Sequence, residues 1–596
     1  MILNGLMAVS DALWGTPMIV VLVSMGLYLS IRFHFYYNFR HIGFHFHNTF
    51  GKMFQRHGSG QGSVSGFAAA CTAMANTIGV GNIGGVATAI VSGGPGAVFW
   101  MWVSGCLGMS TKACEIILGQ RFRVKYSESM DEYMCDRSFV MRNALGWRKG
   151  AFLLAIACFT LGPWTCSVQT ESVVGALREA FGIDPLWSAA FLGLTCFVTI
   201  FGGLRRISAV MERVVPIMAL IYILGGLAIL VQHLPQVPAT LELIVRSAFT
   251  PMAGVGGFAG ATVKDAMRYG IARGLYSNDA GTGYGIIAHA TARTDHPVRQ
   301  ASWGWGEVFL DTIVVCSVTA LSLLLTNSYI DYPGVDSARL TTVAFRISFG
   351  DWGAWFMAIA ITVFAWTTII GMYYSCEKSV NYAFGDTRRN RRATKVYMIY
   401  YMIPCVVLYN AKADALWAMT DILSAIYVMI TILFIVTQRK EIFRLFNDFH
   451  FRFHQGRLRF KEQDVSTGLP QEFCPAAMEV PQRIGTDAVM ALIFGPIGQI
   501  SPVWASTGQT KRPGPACLLP FGIPPFLTGF HKDLDSPGDE GFCLFAAIPR
   551  FHQARQGSLV TAGNACIGTG PEILDMDFLD QFRPVGQDAG RPQFVV

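Results

Sequence analysis

The 596-residue chain is 52% hydrophobic and 14% charged, with a mean hydropathy of +0.40. An ordinary soluble domain carries about 25% charged residues, so this composition excludes a string of soluble domains and indicates a polytopic membrane protein. The formal charge of +7 is carried by basic links between apolar runs, which points to cytoplasmic loops and a bilayer rather than to nucleic acid.

In chain order, apolar runs suitable for spans occur near 12–31, 64–92, 96–118, 150–179, 186–203, 212–232, 270–292, 303–326, 352–375, 396–411 and 416–437. One span needs about 20 apolar residues, so about eleven helices are expected. The first run lacks a basic leader and reads as a retained helix rather than a cleaved signal. Alternate links are basic: 32–63, 119–149, the short link after 203, the link with Arg293 and Arg299, and the link from Lys378 to Lys395. By the positive-inside rule this places the N-terminus outside and the end of the last span in the cytoplasm. The exception is 262–273, with Lys264, Arg268 and Arg273 on the outer side. It reads as an external loop helix leading into a span. Three regions result: a helix and link over 1–63, a ten-helix core over 64–440, and a tail over 441–596. The tail has no span-length apolar run, and Pro and Gly recur in it. It reads either as a poorly ordered cytoplasmic extension or as sequence that selection has not shaped.

The second run contains GVGNIGG at 79–85, which satisfies the dinucleotide-binding pattern G-x-G-x-x-G. That fingerprint needs a strand before it, a helix after it and an acidic residue about 20 positions on. No Asp, Glu, Lys or Arg occurs between Arg56 and Lys112, so the ribose partner is missing and no cofactor is expected. Packed glycines in a span predict a break in the helix instead. Small residues for close helix packing are the alternative. A second such run, RGLYSNDAGTGYGIIAHA, carries Gly274, Gly281, Gly283 and Gly285 beside Asn278 and Asp279. Numbered from the second span, the two breaks lie in the first and sixth of ten helices. Two halves of five helices, about 64–232 and 262–437, are then related by inversion. Paired broken helices in matching halves mark the binding site of a transporter: freed amides receive a carboxylate, and freed carbonyls a cation.

Together, ANTIGVGNIGGVATAI, GGPGAVFWMWV, ARGLYSNDAGTGYGIIAHATARTDHPVRQ and AWTTIIGMYYSCEK resemble the alanine/glycine:cation symporter family over roughly residues 10–445. The resemblance implies an all-α polytopic membrane protein. Its fold would be a leucine-transporter-like inverted repeat of five plus five helices with one additional N-terminal helix. It implies sodium-coupled uptake of a small neutral amino acid through the bacterial inner membrane. The implied roles follow position by position. Amides near Val80 and Gly81 would hold the substrate carboxylate, the Thr77 carbonyl its amino group, and Asn82 would orient the turn. Gln169 would face the substrate. Sodium would take the carbonyls of Ala75 and Ile78 and the hydroxyls of Thr367 and Thr368, an oxygen set that suits a hard cation. Adjacent threonines can also bond carbonyls one turn back.

Several positions, three of them beside Gly281, depart from the family's common residues. Asp279 stands for Glu, Thr282 for Met, Tyr284 for Ser, Glu171 for Asn and Met372 for Trp. All are expected near the pocket, where Glu171 and Asp279 would bind a proton, a sodium ion or an ammonium. For Asp279 the structural alternative is a pair with Arg268 or Arg273. Alternatives to sodium symport are a proton-coupled or differently selective carrier and an amino-acid-gated channel or receptor. No nucleophile–base motif such as G-x-S-x-G or H-E-x-x-H appears, so an enzyme is not expected. His41, His45 and His47 lie in a basic link and suggest a metal only weakly. His289 and His296 are expected to hold loop structure.

Overall fold

A computed structural model describes residues 2–53, 60–127, 132–250, 252–253, 259–332, 335, 337–384, 388–411 and 413–454. The described residues are almost wholly helical, with two short antiparallel hairpins, Val124–Ser127 with Glu132–Met134 and Met252–Ala253 with Ala259–Ala261. The N-terminal run divides into α1 (Ile2–Leu13) and α2 (Thr16–Arg32), parted at Trp14 and Gly15. A π-turn at Tyr36–Arg40 and α3 (Ile42–Asn48) follow.

The first glycine-rich run is a broken helix. Ser65 caps α4 (Gly66–Thr77), its Oγ accepting from Ala68 N at 3.0 Å, as a helix N-terminus requires. A single tight turn at Val80–Asn82 separates α4 from α5 (Gly84–Gly93), and the two halves are bent by 60°. Every residue from Ala68 to Ala87 is buried. A helix end inside the protein is tolerable only where neighbours satisfy its backbone.

Next come α6 (Gly96–Phe122), α7 (Arg137–Leu145), α8 (Arg148–Thr165), α9 (Ser167–Phe181), α10 (Pro185–Ile200), α11 (Gly203–Gln232) and α12 (Val237–Ser247). Pro163 lies inside α8, just before its junction with α9, where the missing amide permits a kink. The second broken helix is α13 (Val263–Asn278) and α14 (Tyr284–His289). Glycines let it lie directly on α6. A Cβ on Gly270 would overlap the Ala97 carbonyl, one on Gly274 would come within 3.3 Å of Met101 Cα, and one on Gly119 would overlap Ile286 O. Small residues thus bring backbones together where apolar transfer gives little drive.

The remaining helices are α15 (Pro297–Gln300), α16 (Ser302–Val308), α17 (Ser317–Leu325), α18 (Ser328–Asp331), α19 (Ser337–Phe349), α20 (Asp351–Phe384), α21 (Arg388–Val407) and α22 (Ala413–His454). A π-helical stretch, Phe309–Cys316, joins α16 to α17. Among the described residues, five helical stretches are long and apolar enough to cross a membrane, and the bent pair α4–α5 makes a sixth.

Three expectations need correction. The segment 262–273 is no separate loop helix, because α13 runs unbroken from Val263 to the second break, and Arg273 pairs with Asp421 of α22 at 3.2 Å. Its basic residues obscured a helix half whose Ala266, Gly270, Ile271 and Gly274 are buried. The tail does not begin at 441, because α22 continues to His454. Its Phe446 packs on Phe33 and Tyr36, and its Phe449 and Phe453 pack on Phe44. Charges at Arg444, Asp448 and Arg452 interrupt that apolar stripe in the sequence. Residues beyond 454 fall outside the described part. Finally, α12 and α19 had no counterpart among the expected spans. Both are short, and α12 is buried only along Thr240, Ile244 and Ser247.

Candidate functional site

The two breaks meet around a cavity of about 450 Å³, open space included. Its wall is drawn from four directions. The first break gives Asn76, Thr77, Gly79 and Gly81, and α8–α9 give Thr165 and Gln169. The second break gives Tyr276, Asp279 and Tyr284, while α20 and α22 close the rest with Thr368, Met372, Thr420, Ser424 and Tyr427.

At the first break the backbone is held by uncharged groups. Asn82 Oδ1 accepts from Gly79 N at 2.9 Å, and Gln169 Oε1 accepts from Val80 N at 3.4 Å. The amide of Asn82 in turn donates to Ser277 Oγ at 2.9 Å and to Asp311 Oδ1 at 2.6 Å. Ser277 also donates to Asp311 Oδ2 at 2.5 Å. Asn82 therefore orients the turn and ties the first break to the second and to the π-stretch, without lining the cavity. Among the described residues, no charged side chain bonds the backbone of 77–84.

Across the cavity, Asp279 has φ +53°, the left-handed region, which few residues without glycine's freedom adopt. Its Oδ2 accepts from Asn76 Nδ2 at 2.9 Å. Arg273 engages Asp421 instead, so the aspartate is left to the cavity.

Of the expected sodium ligands, Thr368 Oγ1 lies 3.5 Å from Ile78 O and donates to Phe364 O at 2.9 Å. With its proton committed to Phe364, the hydroxyl keeps lone pairs for a cation beside the Ile78 carbonyl. Ala75 is at the same helix crossing, since a Cβ on Gly371 would lie 3.3 Å from its carbonyl carbon. Thr367 is turned elsewhere. Its hydroxyl bonds Phe364 O at 2.9 Å and reaches Met218 Sδ of α11 at 3.5 Å.

The other expected residues divide likewise. Tyr284 and Met372 line the cavity. Glu171 is half-buried on α9, two residues past Gln169, and is not part of the wall. Gly281 and Thr282 form the second break behind the wall, where Thr282 Oγ1 donates to Asp279 O at 2.8 Å. His45 is buried with Nε2 2.8 Å from Tyr36 O, and His289 faces Glu307 at 2.6 Å. Among the described residues no group of His, Cys, Asp and Glu is arranged to hold a metal.

Several residues near the site were not singled out from the sequence. Arg137, 3% exposed, stacks on Tyr284 and Tyr427 at 4.7 and 4.0 Å and donates to Thr282 O at 3.3 Å. It backs two tyrosines of the wall. Lys112, Glu115 and Asp311 are fully buried. For Lys112 and Glu115 the available signal was two opposite charges one turn apart within an apolar run.

Residues 1–463 match the sodium:alanine symporter family. The sodium/alanine symporter AgcS of Methanococcus maripaludis is 35% identical over 70% of this chain and 90% of its own length. The probable sodium/glutamine symporter GlnT of Bacillus subtilis is 31% identical over 74% of this chain and 89% of its own. Among solved structures, MhsT in complex with L-phenylalanine is 13% identical, with a TM-score of 0.45 over 63% of this chain and 90% of that one.

Proposed function

This chain belongs to the sodium:alanine symporter family, a family of transporters and not of enzymes, and from that premise we propose that it carries a small neutral amino acid into the cytoplasm together with sodium, by alternating access. The substrate's carboxylate sits on the amides near Val80 and Gly81. Its ammonium group lies between the Thr77 carbonyl and the Asp279 carboxylate. Its side chain points to Thr165, Met372, Thr420 and Tyr427. Sodium sits beside Ile78, Ala75 and Thr368, close enough to the first break that filling one site orders the other.

The observation that carries this reading is the first break itself. It is a bent, buried helix interruption whose backbone is bonded by the uncharged side chains of Asn82 and Gln169, and it opens on a cavity that holds one carboxylate. Such a site supplies complementary poles to a zwitterion and an oxygen cage to a hard cation. The same reading takes ten spans within α4–α22 as two inverted halves of five, with α2 outside them. It puts the N-terminus outside and the basic links in the cytoplasm.

A stitch between the two halves supports alternating access. Residues 61 and 64 bridge to 294 and 292, and Arg123 donates to Ala292 O at 3.0 Å and to Gln61 O at 2.9 Å. This closes the side that carries the basic links, and it must part for release.

Uptake of radiolabelled L-alanine into proteoliposomes under an imposed sodium gradient tests the proposal. Accumulation above the bath concentration, abolished when sodium is replaced by choline, is expected. Equilibration without accumulation would instead indicate a channel, and accumulation driven only by a proton gradient would move the coupling to protons. A second reading, a larger or amide-bearing substrate, draws on the Thr420 and Ser424 hydroxyls in the wall. L-glutamine competition against L-alanine distinguishes it.

A further inference from the structure

The two breaks are treated differently by the rest of the protein. At the second, the ends of α13 and α14 meet a pair of buried charges on α6. Lys112 Nζ donates to the carbonyls of Asn278, the last residue of α13, at 3.3 Å and of Asp279, its C-cap, at 3.5 Å. Glu115 Oε1 accepts from Gly281 N at 2.5 Å, and Oε2 from Gly285 N at 3.1 Å, at the start of α14. Both side chains are 0% exposed. Their placement matches the poles of the broken helix. The cation meets the negative C-terminal end and the anion the positive N-terminal end, each the favourable partner for that end. Fit is close: a Cβ on Gly285 would lie 2.9 Å from Glu115 Oε2 and 3.4 Å from Lys112 Cε. Among the described residues no charged side chain bonds the backbone of the first break, and the one carboxylate beside it, Asp311, is held by the Asn82 side chain.

We infer that Lys112 and Glu115 are positioning residues that act through Asp279. Within the chain they supply the ammonium and carboxylate that a zwitterionic substrate supplies at the first break, so the second break is permanently filled. The clamp fixes the strained backbone at Asp279 and thereby aims its carboxylate, held by Asn76, into the cavity. One ligand site therefore serves two breaks. This rests on the symport reading for the identity of the substrate, but the clamp is a property of the fold.

The test uses the full-length protein in proteoliposomes with L-alanine as the probe. Lys112→Met keeps the length of the side chain and removes the charge. It is expected to raise KM for L-alanine at least tenfold. A structural role alone would lower the amount of folded protein and hence Vmax, leaving KM in place. In an Asp279→Asn background the same substitution is expected to change KM less than twofold, because the aimed charge is already gone. A KM within twofold of wild type in folded Lys112→Met protein, or effects of Lys112→Met and Asp279→Asn that multiply, would overturn the inference. If Lys112→Met does not fold, Glu115→Gln is judged by the same KM criterion. If neither folds, the pair is structural and the inference fails.

Hydrogen exchange separates this from the symport reading. The amides of Gly281 and Gly285 are expected to exchange slowly in wild type and at least tenfold faster in Glu115→Gln, whether or not any amino acid is transported. Unchanged exchange refutes the clamp. Wild-type protein that takes up no amino acid refutes only the symport reading.

Discussion

Gly79→Ala adds one methyl group at the joint between the substrate turn and the cation site. Gly79 has φ −147°, an extended conformation that alanine adopts freely. The backbone therefore raises no objection, and any effect comes from the neighbour. A Cβ there would fall below 3.0 Å from Thr368 Oγ1, with Thr368 Cβ at 3.4 Å and Cγ2 at 3.5 Å. Rotating Thr368 to relieve this would swing its hydroxyl away from the Phe364 and Ile78 carbonyls that it faces at 2.9 and 3.5 Å, so the ion site is disturbed on that route as well. Thr368 is 1% exposed and sits mid-way along a 34-residue helix, so α20 and the turn must separate by at least a few tenths of an ångström. Overpacking of this kind costs about 1–3 kcal/mol, equivalent to a factor of about 5 to 150 in an affinity. The cost falls on the Ile78 carbonyl and Thr368 hydroxyl, whose spacing sets the ion site. Sodium titration of L-alanine uptake should therefore show the half-saturating sodium concentration rising at least fivefold, with the thermal midpoint in detergent lowered by only a few degrees. Gly85→Ala is the control, because nothing lies within 4 Å of its added carbon. A Gly79→Ala protein with sodium half-saturation within twofold of wild type would refute the placement of the ion between Ile78 and Thr368.

Further substitutions divide the site. Gly81→Leu should abolish uptake while membrane insertion stays normal, since Gly81 lines the cavity and even a Cβ there lies 3.1 Å from the Tyr276 ring. Retained uptake would remove this turn from the site. Thr368→Ala should raise sodium half-saturation at least tenfold, whereas Thr367→Val, which faces Met218, should change it less than threefold; equal effects would place both hydroxyls on the ion. Glu171→Gln should leave the KM for L-alanine within twofold, because Glu171 stands outside the wall, and a tenfold change would bring it in. Burial pushes the His45 imidazole down to about 3, with Tyr36 O accepting at one ring nitrogen. The folded state thus disfavours the protonated form. The resulting stability is intact above about pH 6.5 and is lost as pH falls from there towards 3, at about 1.4 kcal/mol per pH unit. Melting curves should show a midpoint that falls across that window and a flatter profile in His45→Gln; identical profiles would count against His45.

What could be read from the sequence followed from what a bilayer forbids. Four glycines at 79, 81, 84 and 85 in a charge-free run suit either a break or close helix packing, and a matching cluster at 274–285 turned one oddity into a pattern. Gln169 and Thr368 are reached only through the resemblance to the family, whereas Asp279 also stands out as an ionisable side chain within an apolar span. Thr367 shows the limit of that approach. Adjacent threonines point about 100° apart on a helix, so one can face α4 only if the other faces a different neighbour, here α11. Glu171 fails in the same way relative to Gln169: two residues along a helix is more than half a turn, and a side chain that far round leaves the wall.

The clamp was hidden for a different reason. Lys112 entered the sequence argument only as the residue that ends a stretch without charge, and Glu115 not at all, because spacing alone does not tell a membrane-end pair from a buried one. What separates the two is the partner, and the partners are the backbone carbonyls and amides of residues 278–285, some 166 positions away. Backbone groups leave no trace in sequence. A buried charge whose counterpart is a helix terminus is therefore visible only when the helix is known to end there. The second break supplied that knowledge, since α13 and α14 each present a pole to whatever side chain crosses them. The crossing helix is α6, and the charges on its contact face match those poles in sign and order. Opposite charges three positions apart, in a span laid against a broken helix, are thus a readable signal once the break has been found first.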